Sequence, residues 1–63
     1  MRFVFIGRFE KVLFVDLVVF DEKEKALDYY QKVLHDNENG YNQIELLEQT
    51  ATYYYNIIEK NVI

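Results

Sequence analysis

The sequence predicts one α+β domain over residues 1–63, a two-stranded antiparallel hairpin followed by two antiparallel helices (ββαα), with one hairpin face packed on the helices. Three patterns predict this fold class. The first twenty residues are rich in aromatic and β-branched side chains, which favour strands. Apolar residues recur at helical spacing after Asp21, and again over Asn42–Lys60 beyond a loop that contains glycine.

The predicted hairpin consists of residues 2–9 and 12–20, with Glu10 and Lys11 at its tip. A three-residue loop segregates the charges best, and it places Phe5 opposite Leu17 on the face that the helices cover. A two-residue loop would reverse the faces of the second strand, because neighbouring residues point to opposite sides of a sheet. In the preferred register the opposite face has nothing in the chain to cover it. Its residues are Val4, Ile6, Val12, Phe14 and Val18, arranged around Asp16.

The first helix is predicted to begin at Asp21, which together with Glu24 resembles a capping box. Its apolar side follows helical spacing. The loop over residues 36–40 ends the helix, because Asn39 or Gly40 can adopt the left-handed conformation. The residues of the apolar side are Ala26, Leu27, Tyr30, Val33 and Leu34.

The second helix is predicted over Asn42–Lys60 from apolar residues that recur in steps of three and four. The loop before it is short, which makes the two helices antiparallel neighbours. The residues of this apolar seam are Ile44, Leu47, Ala51, Tyr54 and Ile58.

Composition favours association and disfavours several classes of function. A chain of 63 residues is near the lower size limit for a domain that folds alone, and it has no cysteine for disulfides. The lack of cysteine and of a secretory signal predicts a cytoplasmic location. Seven basic and eleven acidic side chains give a charge of −4, which opposes binding to nucleic acid. Charges also interrupt the apolar block, so no membrane partner is expected.

No catalytic, metal or cofactor motif is present, and we expect a protein that is not an enzyme and has no cofactor. The sequence has no serine or cysteine, and its one histidine, His35, suits the last turn of a helix. The acidic residues after Asp21 are typical of a solvated helix start. The segment 36–40 lacks the twelve-residue spacing of a calcium loop.

Tyrosines supply further candidates for contact with a partner. Tyr53, Tyr54 and Tyr55 are spread around the predicted helix, so they cannot all be in the core, and tyrosine is favoured at interfaces. The expected partner is a protein, either a host enzyme or a second copy of the chain. The candidate partner-binding residues are Val12, Phe14, Asp16, Val18, Tyr53 and Tyr55.

The segment Val4–Lys11, an apolar strand after it and the acidic start at Asp21 resemble the opening of the Dmd antitoxin family of T-even phages. The resemblance covers about the first 30 residues. It implies an antiparallel sheet with a helix, and a phage antitoxin that blocks a host RNase toxin. The predicted second helix departs from that family, and no binding residue is transferred.

The predicted function is therefore that of a small non-catalytic protein-binding module, an inhibitor from a phage or mobile element that blocks a host protein. The alternative is a homo-oligomeric structural or interaction protein. Acidic mimicry of DNA is a weaker alternative, because seven basic residues dilute the eleven acidic ones.

Overall fold

The computed structural model describes residues 2–63, which form a four-stranded antiparallel sheet with one helix against one of its faces. The strands lie in the order β2-β1-β3-β4, so that β1 and β3 are the inner strands. The element order is ββαββ, and the predicted ββαα fold is wrong. The elements are β1 (Phe3–Arg8), β2 (Val15–Phe20), α1 (Lys23–His35), β3 (Gln43–Ala51) and β4 (Tyr54–Val62).

Residues 43–62 form a hairpin where the sequence predicts a second helix. β3 pairs with the edge of β1 that β2 leaves free, and Leu46 lies opposite Phe5. Ile44 and Leu46 alternate into the core, which is the period of a strand. The predicted helical seam does not follow that alternation, because Ile44 faces the core and Leu47 faces the other side of the sheet. Pairing with β1 determines that the strand pattern is used. Tertiary context of this kind readily overrides local propensity.

The register of the first hairpin also differs from the predicted one. Residues 9–14 form the loop, and Phe5 lies opposite Val18 in place of Leu17. A shift of one residue turns a strand over, so Val18 faces α1 and Leu17 faces away from it. The predicted faces are therefore wrong for β2. For β1 they are confirmed, because Phe3 and Phe5 are buried against the helix side of the sheet.

Helix α1 begins at Lys23, two residues after the predicted start. Glu22 occupies the N-cap position and its side chain makes no capping hydrogen bond, so the capping box predicted at Asp21 does not form. The predicted inner side of the helix is confirmed, because Ala26 and Tyr30 are fully buried and the other apolar residues of that side pack around them. Burial of this side holds α1 on the sheet.

Aromatic rings fill the space between α1 and the sheet. The Phe5 ring is nearly perpendicular to that of Tyr29, with 5.0 Å between the ring centroids, and lies 5.8 Å from that of Tyr41. The Tyr30 hydroxyl donates a hydrogen bond to the Ile44 carbonyl oxygen (3.4 Å) and accepts one from Asn61 Nδ2 (2.7 Å). Tyr30 thus joins the helix to β3 and β4.

Tyr41 packs directly against the backbone of β1 at Gly7. A Cβ atom at Gly7 would lie 2.5 Å from Tyr41 Cε1, so only glycine leaves room for the ring. The Tyr41 hydroxyl donates a hydrogen bond to Asp16 Oδ2 and accepts one from Asn39 Nδ2, both at 2.8 Å. Gly40, just before it, has φ of 75°, the left-handed conformation that the sequence predicts at Asn39 or Gly40. It does not cap the helix, because α1 ends at His35 with Asp36 as the C-cap residue. This junction fixes the chain between α1 and β3.

Candidate protein-binding surface

The side of the sheet that faces away from α1, here called the open face, is rich in apolar side chains. Directly opposed residues of antiparallel strands project to the same side, so the strand pairing identifies the members of this face. No element within residues 2–63 covers it, because α1 packs on the other side. Its apolar residues are Val4, Ile6, Val15, Leu17, Val19, Leu47, Tyr55, Ile57 and Val62.

Four of these side chains form an unbroken apolar row across the sheet. Val19 lies opposite Val4, Val4 lies opposite Leu47, and Leu47 lies opposite Ile57. The row takes one residue from every strand, and with strands about 4.8 Å apart it is about 14 Å long. A shallow depression of about 310 Å³ lies over Val19, Val4 and Leu47 of this row, between Leu17 and Tyr55.

The two outer strands carry the most exposed part of the open face. Leu17 and Val19 of β2 are 60% and 53% exposed, and Ile57 of β4 is 54% exposed. Val4 and Leu47, on the inner strands, are half-buried by their neighbours. Contiguous apolar surface of this kind is rare on a monomeric soluble protein, and it is typical of an interaction site.

The charges of the open face lie towards the ends of the strands. At one end Glu45 is almost fully buried, and its Oε1 accepts hydrogen bonds from Arg8 Nε (2.8 Å) and Gln43 Nε2 (3.1 Å). Lys60 lies opposite Glu45 on β4, and Arg2 borders the depression at the other end. The carboxylate is therefore neutralised within the chain, and the apolar row lies between the charged ends.

A β-bulge determines which residues of β4 lie on the open face. Glu59 lies opposite Leu46 and Ile57 lies opposite Leu47, so Ile58 is an extra residue on β4. Ile58 packs against the core, and Ile57 faces the open side. The extra residue reverses the alternation of β4, so that Tyr55 and Ile57 lie on the same face as Lys60 and Val62.

The predicted partner-binding residues do not lie on one surface. Val12 and Phe14 are exposed in the loop between β1 and β2, where the Phe14 ring packs 6.0 Å from that of Phe9. Tyr53 is exposed in the turn between β3 and β4. Only Tyr55, 43% exposed, lies on the open face.

Asp16 and Val18, the other two candidates, lie on the helix side of the sheet. Asp16 accepts the hydrogen bond of Tyr41, and Val18 packs against the core. The sequence reasoning missed Leu17, Val19, Leu47 and Ile57. The alternative hairpin register, with a two-residue loop, exchanges the faces of the second strand and would have placed Leu17 and Val19 on the uncovered face.

The polar groups of the loop after α1 hold Tyr41 in place. The Asn37 side chain accepts a hydrogen bond from the Tyr41 backbone N–H (2.9 Å) and donates one to its carbonyl oxygen (2.7 Å). Burial raises the pKa of the Tyr41 hydroxyl, and the hydrogen bond to Asp16 raises it further. Burial also raises the pKa of Tyr30. Residues 2–63 contain no cluster of three His, Asp or Glu side chains that could hold a metal ion.

Comparison with known proteins identifies no relative. No family model, no curated protein and no solved structure matches the chain. The resemblance to the Dmd family therefore stays a prediction. Helix α1 is too short and too polar to cross a membrane, and the described residues 2–63 have no other helix.

Proposed function

We propose that this chain is a non-catalytic module that acts by binding another protein through the open face of its sheet. The observation that carries the proposal is the apolar row across all four strands, with exposed apolar side chains at both ends. Each large apolar side chain that moves from water into an interface contributes about 25 cal/mol per Å² of buried surface. Five apolar side chains of the open face are exposed and would contribute in this way: Leu17, Val19, Tyr55, Ile57 and Val62.

The position of this face on regular strands also supports a binding role. The backbone of regular strands is already ordered, so little backbone entropy is lost when a partner binds. The charged ends, with Arg2 at one and Arg8 and Lys60 at the other, surround an apolar centre. An apolar centre with a polar rim is the usual anatomy of a protein–protein interface.

The narrower form of the proposal is an inhibitor of a host protein in the cytoplasm, as the resemblance to the phage antitoxins implies. In that form the open face caps a surface of the inhibited enzyme. Recovery of such an enzyme with the chain would support this form.

A capture experiment tests the binding role. A tagged chain is expressed in bacteria together with an untagged copy, and the proteins that co-purify in stoichiometric amounts are identified. Leu17→Lys places a charge on the open face, and Leu13→Lys makes the same change at a fully exposed leucine in the loop.

We expect wild type and Leu13→Lys to retain a protein, either the untagged copy or a host protein, that Leu17→Lys loses. Capture of nothing by the wild-type chain, or equal capture by Leu17→Lys, would refute binding through the open face. Circular dichroism of each variant establishes that loss of capture is not loss of folding.

A further inference from the structure

We propose that the open face is covered by a second copy of this chain, so that two sheets stack face to face with both helices on the outside. This inference rests on the proposed function, because it names the protein that the open face binds. Such a pair has two-fold symmetry and uses the same surface on both copies, which is the commonest arrangement of homo-oligomers.

The width of the exposed surface favours a sheet as the covering element. Leu17 on β2 and Ile57 on β4 are both more than half exposed, and they lie on the two outermost strands, about 14 Å apart. A helix is about 10–12 Å across with its side chains and contacts a narrower strip. A second four-stranded sheet spans the full width, and packed sheets are a stable arrangement with strands about 30° apart.

The area of the open face is close to the area that each partner buries in a stable interface. The molecule measures 31 × 24 × 15 Å, and the shortest dimension is the thickness of one sheet and one helix. The broad side therefore has a projected area of about 740 Å², the product of 31 and 24 Å. A stable interface of standard size buries about 800 Å² on each partner. A pair of about this size therefore uses most of the face on each copy, and a second open face has the same dimensions.

The charge distribution permits two copies to meet there. The chain carries a net charge of −4 with eleven acidic side chains. Glu45 is the one acidic residue of residues 2–63 on the open face, and Arg8 neutralises it at 2.8 Å. The other acidic residues lie on α1, in loops or on the helix side of the sheet. Stacking through the open face thus keeps the acidic surfaces of the two copies apart, and it leaves the cations Arg2 and Lys60, unpaired within residues 2–63, at the ends of the face, where water reaches them.

The sheet edges are less suited to self-association. The long edge strand β4 contains the bulge at Ile58, which interrupts a continuous ladder of free backbone groups. The other edge strand, β2, has only six residues. A second copy is therefore more favourably placed on the face than along an edge.

The mass in solution tests the proposal directly. Sedimentation velocity and light scattering of the purified wild-type chain should give about 15.4 kDa at micromolar concentration, twice 7.7 kDa. Leu17→Lys should raise the dimer dissociation constant by about 100-fold or more, because two lysines would be buried without partners. Leu13→Lys should leave it within about threefold of wild type.

A distance measurement distinguishes the face from other surfaces. The chain has no cysteine, so Asp28→Cys on the exposed side of α1 gives a single site for a spin label. Sheets about 10 Å apart with a helix about 10 Å thick outside each put the two labels more than about 30 Å apart. A dimer formed through the helices would place them within about 20 Å.

A monomeric wild-type chain at micromolar concentration would overturn the proposal, as would a dimer that Leu17→Lys leaves intact or a short distance between the labels. If the chain is monomeric but captures a host protein that Leu17→Lys loses, the proposed binding function stands and only the second copy is refuted. If neither a copy nor a host protein binds the open face, both proposals fail.

Discussion

The close contact between Gly7 and Tyr41 makes Gly7→Ala a sensitive test of the fold. The added Cβ atom would lie 2.5–2.7 Å from three atoms of the Tyr41 ring, whereas carbon atoms in contact prefer about 3.5–4.0 Å. The ring would have to move by about 1 Å. Two hydrogen bonds of its hydroxyl, to Asp16 and from Asn39, oppose that movement.

The expected loss follows from three contributions. Overpacking costs about 1–3 kcal/mol, and weakening one hydrogen bond costs about 1 kcal/mol. Replacement of a glycine within a strand offsets about 0.5–1 kcal/mol of this loss, because alanine loses less backbone entropy on folding. Gly7→Ala should therefore lower the free energy of unfolding by about 2 kcal/mol. With a urea dependence of about 1 kcal/mol/M for so small a protein, the unfolding midpoint should fall by about 2 M.

Urea titrations followed by far-UV circular dichroism, at one fixed protein concentration, measure this loss. Gly40→Ala is the matched control, because a Cβ atom there has no neighbour within 4 Å and only the left-handed backbone is strained. It should cost about 1 kcal/mol. In Tyr41→Phe, which frees the ring from its hydrogen bonds, the additional cost of Gly7→Ala should be smaller. A Gly7→Ala protein as stable as wild type would contradict the packing of Tyr41 on β1.

Three further outcomes are expected. Asp16→Ala should lower the free energy of unfolding in urea by about 1 kcal/mol, because the Tyr41 hydroxyl loses its acceptor. The mass in solution should be unchanged. A change of assembly without a loss of stability would show that Asp16 lies in a partner interface. Burial raises the pKa of Tyr30 and Tyr41 above 10.0, so the stability from their neutral forms is complete below about pH 10 and is lost as pH rises through the raised values. The urea midpoint should therefore fall above about pH 10, less steeply in Tyr41→Phe, and an equal fall in both proteins would contradict this account. Arg8→Ala should cost about 1–2 kcal/mol by leaving the buried Glu45 carboxylate with only the Gln43 amide, and an unchanged midpoint would show that this ion pair contributes nothing.

The elements that depend on neighbouring residues could be predicted from the sequence. Helix α1 has its apolar side at the predicted positions, because helical periodicity is a local property of about a dozen residues. Gly40 has the predicted left-handed conformation for a similarly local reason. The alternation along β1 correctly identified Phe3 and Phe5 as the buried side of that strand.

The candidate surface could be predicted only in part. The sequence indicates more apolar side chains than one small core can bury, and Val4 and Ile6 do lie on the open face as expected. The prediction of which β2 residues belong to this face was wrong. An error of one residue in the register exchanges the faces on which Leu17 and Val18 lie. No turn signal in residues 9–14 specifies the loop length, so the sequence does not determine which parity of β2 is buried.

By itself, the sequence determined the helix, the buried side of β1 and an excess of apolar residues over what one small core can bury, since each depends on contacts within a short segment or on composition. Only the tertiary structure decided that residues 43–62 form strands and that Leu17, Val19, Leu47 and Ile57 share one exposed face. The physical reason is distance along the chain. Leu46 pairs with Phe5, which lies 41 positions earlier, and neither the spacing nor the propensity of residues near Leu46 contains that pairing.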